Sequence, residues 1–135
     1  MLYPIAIELG DEKHAYGVVV PDVPGCFSAG DTIEEAFQNA KEAIPFHIEG
    51  MLEDGEEIPQ PTSIDIHRNN PDYEGFMWSV VDVDLTHLMG KSEKLNITLP
   101  SLLIKRIDEF VARHPDYKNR SNFLAKVATD RLLSA

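Results

Sequence analysis

A chain of 135 residues with a formal net charge of −11 and a single cysteine has room for one ordinary domain, or for a domain of roughly 85 residues joined to a smaller one that needs help to be stable. Cys26 has no partner for an internal disulfide and no metal-ligand spacing around it, and no run approaches the ~18 apolar residues of a membrane span. The start, Met1-Leu2-Tyr3-Pro4, lacks the order of a signal peptide, so the composition excludes a disulfide scaffold and a membrane protein and predicts a soluble protein of the reducing cytoplasm.

The charge is divided unevenly. Residues 1–90 carry three Lys or Arg against eighteen Asp or Glu, a net −15, and residues 91–135 carry nine against five, a net +4. Solubility alone does not require such a split, because a uniformly acidic surface would serve it. The division near Gly90 predicts two domains, 1–90 and 91–135, with oppositely charged partners.

From Tyr3 to Leu9 the residues alternate, and Gly10-Asp11-Glu12-Lys13 breaks the run before His14 to Val20 rises into Val18-Val19-Val20; the pattern predicts a β-hairpin. Pro21-Asp22-Val23-Pro24-Gly25 is a rigid connector, its prolines fixing φ and its glycine permitting what other residues resist. A short third strand follows over Cys26–Ala29. Thr32-Ile33-Glu34-Glu35 has the form of a capping box, and Ile33, Ala36, Phe37, Ala40, Ile44, Ile48 and Met51 recur at helical spacing behind it. Pro45 interrupts that pattern and predicts a kink; Asp54-Gly55 predicts the end of the helix. His67 to Gly75 carries weak signals, and Met77 to Leu85 alternates as a further strand. The first ninety residues are therefore expected to be β-β-β-α-β, an α+β layer.

The second segment differs. In Lys94 to Leu99, Leu95, Ile97 and Leu99 fall on one side of a predicted strand, and Lys94, Asn96 and Thr98 on the other. Pro100 and Ser101 open a helix to about His114, a turn follows, and Ser121 is the expected N-cap of a last helix. Such a unit has too little core to stand alone, and its single strand requires a second copy.

This order of strand, helix and Ser-capped helix resembles the ribbon-helix-helix repressor family over residues 93–134. The resemblance implies that two chains pair their strands and lay the ribbon in the major groove of DNA, with Lys94, Asn96 and Thr98 as base readers and Leu95, Ile97 and Leu99 in the dimer core. The chemistry suits the role: Asn pairs bidentately with adenine, Lys reaches guanine acceptors and the Thr methyl touches thymine. Arg120, Ser121 and Asn122, at the start of the last helix, would clamp a phosphate. The competing reading is a basic dimerisation element that touches no nucleic acid.

The first half resembles the HicB family of bacterial antitoxins, through Tyr16-Gly17-Val18-Val19-Val20-Pro21-Asp22-Val23-Pro24-Gly25-Cys26, Ser28-Ala29-Gly30-Asp31-Thr32, Glu35-Ala36, Asn39-Ala40-Lys41-Glu42-Ala43 and Gly55-Glu56-Glu57-Ile58-Pro59-Gln60-Pro61. It implies a partly RNase-H-like domain that inactivates a basic, mRNA-cleaving toxin of the HicA family, joined to a domain that binds operator DNA and represses the shared operon. A cationic RNA-gripping face and an acidic partner are complementary, with Glu34, Glu35, Glu42, Glu49 and Asp54 as candidate contributors, although plain solvation explains each of them better and no toxin-contact residue follows from the sequence. Self-association to at least a dimer is expected, and a sheet edge in the acidic domain offers a route to tetramers.

Two other readings compete. A stand-alone ribbon-helix-helix repressor would use the acidic domain as a sensor. A nuclease would gather Asp22, Asp31, Asp82 and Asp84 around divalent metals, yet capping explains Asp31, a turn explains Asp22 and an exposed strand explains Asp82 and Asp84. The histidines His14, His47, His67, His87 and His114 show no ligand spacing, and Cys26 sits in an apolar stretch that suits a small hydrophobe better than a nucleophile. The expectation is a protein that is not an enzyme, with no cofactor and no metal.

Overall fold

The computed structural model describes residues 1–134 and divides the chain into two compact units, Met1–Asp84 and Leu85–Ala135. The fold is mixed α+β, with one four-stranded antiparallel sheet and four helices.

The first unit contains β1 (Leu2–Glu8), β2 (Tyr16–Val19), β3 (Phe27–Gly30), α1 (Ile33–Glu53), a single-turn helix α2 (Ile64–His67) and β4 (Met77–Asp82). The sheet order is β3-β2-β1-β4, antiparallel throughout. Alternation along paired strands then fixes the two faces. A Cβ on Gly30 would point into the first turn of α1, so Ser28, and across the register Val18, Ile7 and Ile5, share the α1 side. Val18, Ile7 and Ile5 are buried there against the helix stripe Ala36, Ala40, Ile44 and Ile48. Removing each large aliphatic side chain of this layer from water stabilises the fold by roughly 1.5–3 kcal/mol. The opposite face carries Ala6, Val19, Phe27 and Trp78. There His67 stacks on Trp78 at 6.3 Å and Tyr73 meets it edge-on at 5.5 Å.

Both ends of α1 follow from local chemistry. The Thr32 hydroxyl accepts the Glu35 backbone N–H at 3.1 Å, as the capping box predicts. At the far end Gly55 turns left-handed (φ +82°), its N–H donates to Leu52 C=O, and the Glu56 N–H reaches back to Met51 C=O at 2.9 Å. This is the 6→1 and 5→2 pair of a Schellman motif. Pro45 lies inside α1, which is one helix from Ile33 to Glu53. The weakly patterned stretch from His67 to Gly75 is also more ordered than expected. Ser63 caps α2 by accepting the Asp65 N–H at 3.1 Å, and Asn70 caps a 3-10 turn at Pro71–Tyr73.

Tyr3 ties the sheet to the chain leaving α1, its hydroxyl donating to Pro59 C=O at 2.7 Å. Burial, assisted by the nearby Asp22 carboxylate, pushes the Tyr3 phenol up to about 12. A folded-state pKa above the unfolded value near 10 means that the folded chain holds this proton longer. Stability is therefore expected to be intact below pH 10 and to fall as pH rises through 12, and urea midpoints of Tyr3→Phe across that window should lack this part of the slope.

The second unit holds a 3-10 turn (Thr86–Met89), α3 (Ser101–Arg113) and α4 (Arg120–Leu133). Residues 91–100 adopt no regular secondary structure in the single chain. The strand expected at 94–99 is not formed in the single chain, whose one sheet is β3-β2-β1-β4.

Candidate functional site

The HicB-like string of the first unit converges on the Pro21–Gly25 turn. Asp22 is buried for an ion, its side chain 6% exposed, and both of its oxygens are hydrogen-bonded. Thr62 donates its backbone N–H to Oδ2 at 2.7 Å and its hydroxyl to Oδ1 at 2.8 Å, and His67 Nε2 lies 2.9 Å from Oδ1. Satisfying a buried carboxylate in this way offsets its desolvation. It also fixes the segment that carries Thr62 and His67 to the turn. On the other side His47, from α1, donates Nε2–H to Pro24 C=O at 2.9 Å, and Gly25 adopts φ +80°. The sequence identifies the turn but not its clasp: Thr62 and His67 lie forty and forty-five residues away, and nothing in their local pattern points to Asp22.

The four carboxylates considered for a nuclease do not form a cluster. Asp22 is occupied by Thr62 and His67, and Asp31 stands beside the Thr32 cap of α1. Among the described residues no group of three or more His, Cys, Asp or Glu is placed to hold a metal ion. Cys26 is buried, and burial pushes its thiol pKa up, away from nucleophilic use.

In the second unit Lys94, Asn96 and Thr98 are all exposed on the irregular segment before α3. The intervening apolar residues are exposed too, Leu95 at 80% and Ile97 at 58%. Leu95, Ile97 and Leu99 border a groove of about 490 Å³ that reaches Ile104 of α3 and Arg120, Ser121 and Leu124 of α4. Leu102, Leu103, Phe110, Val127 and Leu132 are exposed as well, so much of what the sequence offers as core has no cover within one chain.

One expectation at the start of α4 needs correction. The N-cap is Asn119, not Ser121: Asn119 Oδ1 accepts the Asn122 N–H at 2.8 Å, and Ser121 sits inside the first turn. Asn is as good a cap as Ser, and the turn ends two residues earlier than the serine suggested. Arg120 is engaged within the protein, in a two-pronged pair with Asp108 of α3 at 3.1 and 2.8 Å. The Arg120 hydrogen bonds hold the Asp108 carboxyl below its ordinary pKa. With the Asn122 N–H given to its cap and the guanidinium to Asp108, a phosphate arriving here would meet chiefly the remaining N–H groups of the helix end.

Comparison with known proteins places these features together. The model of a family described as HicB-like antitoxin of bacterial toxin-antitoxin systems matches residues 3–128. A 14.9 kDa protein from the rep-hol intergenic region of Haemophilus phage HP1 is 66% identical over 135 residues, the whole of both chains. The crystal structure of the Burkholderia pseudomallei antitoxin HicB is 38% identical, covers 98% of each chain and superposes with a TM-score of 0.64. A chain of a HicA3 and HicB3 toxin-antitoxin complex, 32% identical, covers 62% of this chain and 99% of its own length at a TM-score of 0.54. With a match over nearly its whole length and the clasped Pro-Asp-Val-Pro-Gly turn in place, this chain belongs to the HicB-like antitoxin family of bacterial toxin-antitoxin systems.

Proposed function

We propose that this protein is an antitoxin that works by binding rather than catalysis: its acidic unit neutralises a HicA-type, mRNA-cleaving toxin, and paired copies of residues 91–135 bind operator DNA and repress the operon. The observation that carries the reading is the charge division, net −15 over residues 1–90 and net +4 over residues 91–135. A toxin that grips RNA phosphates presents cations, and an acidic domain meets them with fast, steered association. The toxin-antitoxin complex among the structural relatives supports a toxin as the partner.

For the second half, the exposed Leu95 and Ile97 and the groove beside them fit a partner strand from a second copy, which would complete the ribbon-helix-helix and turn Lys94, Asn96 and Thr98 outward. DNA binding by so acidic a chain depends on this local patch and should weaken steeply with salt. Either edge of the sheet, β3 or β4, offers a route from dimer to tetramer.

The separation of roles has a direct test. Residues 1–90 alone are expected to restore growth to cells expressing the toxin, while losing all binding to operator DNA. Continued growth arrest with the fragment soluble and folded would assign part of the inhibition to the second domain.

A further inference from the structure

Phe46 is 79% exposed, more than any other aromatic residue among the exposed large hydrophobics. Its position explains why. The buried stripe of α1 runs through Ile44 and Ile48, and a residue two steps from each lies roughly 200° around the helix, on the solvent side. Folding alone asks for a polar residue there. Phe46 instead borders a groove of about 420 Å³ shared with Pro24, His47, Gly50 and Met51, whose rim carries Asp54 and Glu56. The walls are fixed by the His47 bond to Pro24 and the Schellman turn at Gly55.

The charge around this groove also runs against the stability of the helix that forms it. The C-terminal end of a helix carries partial negative charge and favours cations. Yet α1 has no basic residue in its last turn, and Glu49, Glu53, Asp54, Glu56 and Glu57 are crowded into nine residues that include no Lys or Arg. An apolar floor, a fixed wall and a negative field that nothing in the stretch neutralises are complementary to one kind of occupant, a basic segment with an apolar side chain among its cations.

We infer that the Phe46 groove at the C-terminal end of α1 is the docking site for a cationic, apolar-bearing segment of the toxin, with Phe46 as the anchor and Asp54 and Glu56 as the charge partners. The inference rests on the antitoxin reading and assigns it a surface. Truncating a central aromatic anchor commonly weakens a complex by about 30-fold or more, whereas rim charges act mainly on the association rate and its salt dependence.

The test uses the full chain and a catalytically inactivated HicA-type toxin, with binding followed by surface plasmon resonance. Phe46→Ala should weaken binding by about 30-fold, mostly through faster dissociation. The double variant Asp54→Lys/Glu56→Lys should slow association by about 10-fold and flatten its salt dependence. Glu12→Lys in the turn between β1 and β2, at the other end of the sheet, should change the affinity less than about 3-fold although it alters net charge in the same sense. Circular dichroism melting checks that each variant remains folded; Phe46 is so exposed that its loss leaves the core intact. Tight wild-type binding that Phe46→Ala and the double variant leave unchanged would overturn the docking site while sparing the antitoxin reading. No binding by the wild-type chain would overturn that reading, and the docking site with it. Loss of self-association in Phe46→Ala, with toxin affinity retained, would give the groove to a second copy and equally overturn the inference.

Discussion

Replacing Gly30 with alanine is expected to cost the first unit about 3 kcal/mol or more, the largest effect on stability predicted for so small a change. Gly30 ends β3, two residues before the Thr32 cap, where strand and helix pass at their closest. A Cβ there would lie 2.4 Å from the Ala36 nitrogen and 2.8 Å from the Glu35 carbonyl carbon. Both are backbone atoms, so no rotamer change relieves the overlap, and β3 must move away from the first turn of α1. That movement loosens Ala36 and Ala40, which are fully buried at this contact. Gly50 provides the control within the same helix, because a Cβ there meets nothing within 4 Å. Gly50→Ala should leave stability unchanged or raise it by up to about 1 kcal/mol, as expected where alanine replaces glycine in a helix. Urea denaturation should therefore show a lowered midpoint for Gly30→Ala and an unchanged or raised one for Gly50→Ala. Equal midpoints would mean that the close packing of α1 on β3 is wrong.

The largest expected effect on function is at Asn96. In the proposed ribbon each dimer presents two copies of this side chain to the major groove, and a bidentate Asn–adenine pair contributes about 1–3 kcal/mol of discrimination. Loss of both should weaken operator binding by at least about 2 kcal/mol, or roughly 30-fold. Asn96 is exposed in the single chain, so Asn96→Ala should leave folding and toxin neutralisation as they were. Leu95→Ala removes a residue proposed for the dimer core, and should weaken self-association and DNA binding together. A gel-shift titration on the DNA upstream of the gene separates the two: undiminished affinity in Asn96→Ala would contradict its assignment as a base reader.

Much of the fold is legible in the sequence because its signals are local. The Val18-Val19-Val20 run, the Thr32 cap, the four-residue recurrence of Ala36, Ala40, Ile44 and Ile48, and the Asp54-Gly55 stop each specify a boundary without reference to distant residues. One reading changed where two local signals lie side by side. Ser121 and Asn119 are both good caps, and sequence alone has no means of ranking two candidates so close together. The His67 to Gly75 stretch shows no hydrophobic period because it is held by a few specific contacts, His67 and Tyr73 against Trp78. Its Ser63 and Asn70-Pro71 caps were nonetheless available as signals.

The candidate sites divide the same way. The period-two alternation of Lys94 to Leu99 is visible in the sequence, but no strand forms there in the single chain, and the ribbon remains a proposal. The clasp of Asp22 by Thr62 and His67, and the engagement of Arg120 by Asp108, depend on elements brought together only by folding. Phe46 was legible by contradiction: it is the large apolar residue of α1 that the helical period places on the wrong face.

Neutralisation of a basic toxin by the acidic unit, as proposed, is decided by co-expression in a growth assay. The full chain should restore growth to cells producing a HicA-type toxin, and the two proteins should then co-purify in a complex whose association slows as salt is raised. Persistent growth arrest, with the chain abundant, folded and unbound, would contradict it.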